Sequence, residues 1–211
     1  LGRIRSSIST MQENVDDLLD REIGYLPYHI YMLGAEYSPQ EFAHSIYQPD
    51  EWQAITSFTH HPYGEEFEME TPDNMMHDRF LNVPLDSMMT YIVRSLRQGI
   101  PVCWEGDISE KGFDMESGIA TLDNENANNN DATTNAAALR QKAFELRSTT
   151  DDHCMALVGL AHDKQGKRYI IAKNSWGAIG RYHGYIFMSE QYIKMKTIAV
   201  MVKKKSVGII V

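Results

Sequence analysis

The chain has 211 residues, 43% of them hydrophobic and 23% charged, enough for one core or two small half-domains. A formal charge of −9 argues against a nucleic-acid surface, because phosphate binding needs clustered Lys and Arg, and the basic run Lys203-Lys204-Lys205 reads as a solvated strand end. No stretch approaches the ~18 consecutive apolar residues of a membrane span, and nothing at the start has the order of a signal peptide.

A chain that begins with Leu rather than Met is expected to be a fragment or a processed product, and its expected location is the cytoplasm. Residues 1–33 read as helical, with Met11, Val15, Leu18, Leu19 and Ile23 at helix-like intervals and Pro27 as the stop. Ser38-Pro39-Gln40-Glu41 places a Ser three residues before a Glu and a Pro at the first helical position, which starts a short helix to about Tyr47. His60, His61 and His77 have no ligand-helix spacing and no carboxylate set with them in sequence, so they read as surface or satisfied histidines, with no metal and no cofactor expected. Met75-Met76 and Met88-Met89 read as core filler.

A third helix is expected over Leu85–Gln98, between Pro84 and Gly99. Residues 1–98 therefore form an expected helix-rich segment, and residues 99–211 an expected antiparallel β half-domain. Its strands are Val102–Trp104, a hairpin of Met155–Ala161 with Arg168–Asn174, then Tyr185–Met188 and Thr197–Val202. The Asn-, Ala- and Thr-rich tract near 124–138 reads as a polar surface insertion, followed by a helix from Ala136 to about Arg147.

The hairpin carries the chemistry. With its turn centred near Lys164 and Gln165, Asn174 falls within about two positions of the residue facing His153, a diagonal neighbour on the same face. A carboxamide there can orient the imidazole, and an oriented imidazole can take the proton from a thiol. A slip of one residue would put the two side chains on opposite faces.

Asp152-His153-Cys154-Met155, Lys173-Asn174-Ser175-Trp176-Gly177 and Gly184-Tyr185-Ile186 stand in the order found in the C-terminal half of papain-like (C1) cysteine peptidases. Upstream, Tyr37-Ser38-Pro39-Gln40-Glu41-Phe42, His61-Pro62-Tyr63 and Gly99-Ile100-Pro101-Val102-Cys103-Trp104-Glu105-Gly106-Asp107-Ile108 resemble segments of the bleomycin hydrolase and aminopeptidase C group. The resemblance runs over roughly residues 37–205 and implies an α+β, papain-like fold, with a helical approach and a barrel-like antiparallel half-domain bearing the catalytic residues. It implies His153 as general base and Asn174 as its orienter, with Trp176 covering the His–Asn hydrogen bond and Asp152, as in papain, in support. In that group the chain runs on into an arm that lies in the cleft and restricts cutting to chain ends. The sequence here ends at Val211, so both exo- and endopeptidase outcomes stay open.

Neither cysteine fits as the nucleophile. Cys154 follows His153 on a strand, so their side chains point to opposite faces, and Cys103 sits in an apolar strand, where a buried thiol has a raised pKa. In papain-like enzymes the nucleophile opens a helix, preceded by a Gln that lines the oxyanion hole. That Gln-x-x-x-x-x-Cys-Trp pattern is absent from residues 1–211. The expected partners are thus a peptide substrate, an N-terminal Cys-bearing portion of the same gene product and further copies of the chain as a homo-oligomer. The competing reading is a catalytically inactive papain-like scaffold that binds peptides or a protein.

Overall fold

The structure, a computed structural model, describes residue 11, residues 14–122 and residues 135–208; the tract of residues 123–134 lies outside these. The chain divides into two compact units, Leu1–Pro49 and Asp50–Val211.

In the first unit residues 14–22 are helical. Gly24, at φ +98°, ends this helix, with its N–H on the Asp20 carbonyl at 3.0 Å; a left-handed glycine is the usual residue just past a helix end. Helix does not continue to residue 33 as the apolar spacing suggests. Ile30–Met32 (β1) pairs antiparallel with Ala35–Tyr37 (β2), because Leu33 and Gly34 both take positive φ, the requirement of a two-residue hairpin turn that follows strand twist. The helix Pro39–Ile46 begins as expected, with the Ser38 hydroxyl accepting from the Glu41 N–H and the Glu41 carboxylate accepting from the Ser38 N–H.

The second unit is built on one ten-stranded sheet in the order β4-β5-β3-β12-β6-β9-β10-β11-β8-β7. These are Trp52–Thr56 (β3), Glu66–Glu68 (β4), Arg79–Asn82 (β5), Val102–Gly106 (β6), Phe113–Asp114 (β7), Ile119–Ala120 (β8), His153–His162 (β9), Arg168–Lys173 (β10), Tyr185–Ser189 (β11) and Thr197–Lys203 (β12). Two expectations are corrected here. The sheet is open, ending at β4 and β7, rather than barrel-like. It also recruits β3, β4 and β5 from the segment read as helix-rich. Those three strands have three to five residues each, too short for a clear alternation, and two neighbouring pairs, β3–β5 and β8–β11, are parallel.

The helix Leu85–Arg97 lays Leu85, Met88, Met89, Ile92 and Leu96 into the core with Val102, Trp104, Met155, Leu157, Val200 and Val202. Their helical spacing makes one apolar stripe. Met88 and Met89 are buried as expected. Met75 and Met76 are not: each is about four-fifths exposed (81% and 82%), in a turn stapled by the Asn74 side chain to the Met69 and Asp78 carbonyls. A smaller cluster gathers Phe58, Phe67, Met69, Ile198 and Ala199, against which Phe144 of the helix Ala136–Glu145 packs.

Candidate active site

The hairpin of β9 and β10 sets the centre. Arg168 faces His162 and Ile171 faces Gly159, but Ala172 faces Leu157, so the register shifts by one at Val158. Such a bulge re-aims the strand end beyond it. Continued past Lys173, this register brings Asn174 diagonally beside His153, and the imidazole Nε2 lies 2.9 Å from the Asn174 Oδ1.

The carboxamide is fixed on all sides. Asn174 is 2% exposed; its N–H donates to the Gly184 carbonyl at 2.9 Å, its Oδ1 also accepts from the Ser175 N–H at 2.7 Å, and its Nδ2 points to the Met115 sulfur at 3.7 Å. Gly184 sits at φ +85°, and a Cβ there would run into the Gly177 carbonyl, which gives the Gly184-Tyr185 pair a steric reason. With Oδ1 committed as acceptor, Nε2 of His153 is the protonated nitrogen and Nδ1 holds the free lone pair. The Trp176 ring stacks at 4.9 Å from the imidazole, tilted 44°, with Phe113 edge-on to it at 6.5 Å. Trp176 is 48% exposed, so the indole lies between the histidine and solvent.

His153 starts β9 directly opposite Gly106 of β6. A Cβ at Gly106 would collide with the Lys196 carbonyl and the Trp104 ring, so glycine lets the end of β6 pass close to the chain at Lys196. Asp152 does not bond to the imidazole. Its carboxylate accepts from the Ile108 N–H at 2.9 Å and from the Ser109 hydroxyl, tying the loop after β6 to the start of β9.

Beneath that loop lies an ion pair that reading the sequence missed. Lys196, from the helix Glu190–Lys196, is 6% exposed and places Nζ 3.6 Å from the Asp107 carboxylate and against Glu110. Asp107 also accepts from the Ser109 N–H (2.8 Å) and the Thr150 N–H (3.1 Å), while Lys196 donates to the Ser148 carbonyl and the Thr149 hydroxyl. The pair thus clamps both segments that lead to His153. Its signal in the sequence was the Gly106-Asp107-Ile108 match, which names no partner for Asp107.

The cysteines lie on the other face. Trp104 and Gly106 share the His153 side of β6, whereas Cys103 and Glu105 alternate to the opposite side with Cys154, as strand geometry requires. Neither thiol shares the face of the imidazole. Cys103 reaches the surface rather than lying fully buried, and a hydrogen bond from the Cys154 thiol lowers its pKa to about 7, against the opposing effect of partial desolvation. The raised pKa expected of Cys103 is thus overturned, and it is the Cys154 thiol that is pushed up, by that same hydrogen bond and by burial. Asp73, Glu105 and Asp151 bring carboxylate oxygens within 4.8 Å of one another beside them. No helix among the described residues is long and apolar enough to cross a membrane.

The description "Peptidase C1-like family" matches residues 29–209. Aminopeptidase G of Lactobacillus delbrueckii subsp. lactis is 28% identical over 182 residues, 83% of this chain and 41% of that protein. Aminopeptidase W of the same organism is 30% identical over 130 residues, 61% of this chain and 29% of that protein. The crystal structure of PepW from Lactobacillus rhamnosis superposes with a TM-score of 0.67 at 20% identity, covering 97% of this chain and 49% of that one, which is a likeness of fold. The chain spans less than half the length of these relatives. By its family match over most of its length, and by its papain-like α+β fold, the chain belongs to the peptidase C1-like family.

Proposed function

We propose that this chain is the His/Asn-bearing portion of a cysteine peptidase of the aminopeptidase C and bleomycin hydrolase type. The thiol and the oxyanion-hole Gln come from an N-terminal portion of the same gene product, and the chain by itself is inactive. The observation that carries this reading is the 2.9 Å contact between the His153 Nε2 and the buried Asn174 Oδ1, under the Trp176 ring.

The chemistry follows from which nitrogen is free. Nδ1 of His153 takes the proton of the incoming thiol, and the thiolate attacks the peptide carbonyl. As the C–N bond breaks, the Nδ1–H protonates the leaving amine; water, deprotonated by Nδ1, then cleaves the thioester. Asn174 keeps Nε2–H engaged throughout, so the imidazolium is stabilised without a second titrating group. Trp176 shields that hydrogen bond from water, and Asp152 holds the loop beside it. The substrate is a peptide, the relatives' names favour release of N-terminal residues, and the resemblance favours a homo-oligomer in the cytoplasm.

The test uses the longer gene product. The codons upstream of Leu1 are expected to encode Gln-x-x-x-x-x-Cys-Trp, and a peptidyl epoxide probe, which needs the substrate cleft as well as a thiolate, is expected to label that one cysteine and not Cys103 or Cys154. A folded full-length protein that the probe leaves unlabelled would establish the inactive peptide-binding scaffold instead.

A further inference from the structure

His60 and His61 read in the sequence as surface histidines because no carboxylate stands with them. The fold supplies one. Glu70, just past β4, receives both imidazoles: His61 Nε2 lies 2.7 Å from its Oε1 and His60 Nε2 lies 3.0 Å from its Oε2. His77, the third histidine of the sequence reading, turns to Glu68 instead.

We propose that His60, His61 and Glu70 form a binding site for a divalent transition-metal cation of the zinc class. The three ligand atoms lie within 4.8 Å of one another, and the two contacts to Glu70 are close to the ~2.9–3.4 Å separations that metal–ligand bonds of about 2.0–2.1 Å impose. Both imidazoles aim the same nitrogen, Nε2, at the one carboxylate, His61 at Oε1 and His60 at Oε2. The remaining nitrogen of His60, Nδ1, faces the Gln141 amide, 3.1 Å from Oε1 and 2.9 Å from Nε2. That amide is itself held by the Thr59 N–H on Oε1 (2.7 Å) and by Glu145 on Nε2 (2.9 Å), and Gln141 is 7% exposed. In the tautomer that a cation selects, Nδ1–H is donated to Oε1 and the Nε2 lone pair faces the ion, the arrangement that outer partners give to metal-bound histidines; in the other tautomer the Gln141 N–H is donated to Nδ1 and Nε2–H to Glu70. His61 is fixed by stacking on Phe67 at 4.0 Å. Two imidazoles and one carboxylate suit zinc-like ions over magnesium or calcium, which prefer oxygen ligands. With both imidazoles neutral the set carries one negative charge, and side-chain exposures of 28%, 33% and 51% leave an entry path and positions for water.

The bound ion would work as a staple. His60 and His61 stand in the loop between β3 and β4, Glu70 follows β4, and Gln141 belongs to the helix Ala136–Glu145. One ion thus joins the loop to the strand end and, through His60, to that helix. Zinc is expected to raise the Tm and to bind the metal-free 211-residue chain once, with a Kd of about 10 µM or tighter. His61→Ala and Glu70→Gln should each weaken binding by about tenfold or more and abolish the Tm gain, whereas His77→Ala should change neither. Cobalt(II) serves as the spectroscopic probe: weak visible bands without a strong near-ultraviolet thiolate band are expected, and the Cys103→Ala/Cys154→Ala variant should bind as the parent does. The proposal fails if zinc is not bound, if the cobalt spectrum shows thiolate ligation, or if His61→Ala and Glu70→Gln, with metal-free Tm equal to the parent's, bind undiminished.

Discussion

The two faces of β6 and β9 hold opposite kinds of chemistry a few ångströms apart. On one, His153 meets neutral groups, the Asn174 amide and the Trp176 indole. On the other, Cys103, Cys154 and Glu105 crowd against Asp73 and Asp151. There burial, then the charges of Asp151, Asp73 and Cys103, push the Glu105 carboxyl up to about 7. Burial and the hydrogen bond with Asp73 raise Asp151, while that same bond lowers Asp73. The difference teaches what a proton-transfer site needs. A neutral orienter fixes the imidazole without competing for its proton, whereas packed acids and thiols titrate one another.

This contrast can be broken most sharply at its two adjacent residues. In the longer gene product His153→Ala is expected to lower kcat/KM by on the order of 10⁴ or more, and Cys103→Ala or Cys154→Ala to leave it within about twofold. Steady-state peptide hydrolysis measures both; loss of activity in a folded Cys103→Ala variant would overturn the assignment of faces. Next comes the clamp beneath the histidine. Lys196→Met leaves the buried Asp107 without its cation and should cost about 3–5 kcal/mol, roughly 10 °C in Tm by calorimetry. An unchanged Tm would mean the pair is dispensable.

Asn174→Ala should reduce kcat by about 10²-fold with KM nearly unchanged, because it removes an orienter and not a substrate contact. On the far face the effects are smaller and show in pH profiles. Alkylation of Cys103 should reach half its maximal rate near pH 7, as its lowered pKa requires, and Cys154→Ala should move that midpoint upward. Glu105, raised to about 7, binds its proton more tightly in the folded state. It therefore favours folding below the unfolded value of about 4.3 and loses that contribution as the pH rises towards 7. The Tm should fall between pH 5 and pH 8, and fall less in Glu105→Gln; equal slopes would refute the crowding.

Local rules made much of the active site legible. Ser38-Pro39 and Glu41 start a helix wherever they stand, since the capping bonds close within four residues. The 162–167 turn fixes the pairing of its own two strands, so His153 and Asn174 could be placed on one face from numbers alone. The Val158 bulge escaped because a shift of one residue leaves no trace in composition. The diagonal relation holds because a turn centred between Lys164 and Gln165 pairs residues whose numbers sum to 329, which is the register that the strands take beyond the bulge.

The sequence by itself determined what depends on short separations: the helix Leu85–Arg97, the β9–β10 hairpin, the alternation that parts His153 from Cys154, and the motifs that name the family. Only the tertiary structure decided what depends on distant partners. It brought β3, β4 and β5 into the sheet, joined Lys196 to Asp107 across 89 positions (196 − 107), and set Glu70 between His60 and His61. It also left Cys103 exposed. The physical reason is the same in each case: strand pleat and helical turn are written into neighbouring residues, whereas the partner of a buried charge or an exposed thiol is chosen by how the layers pack.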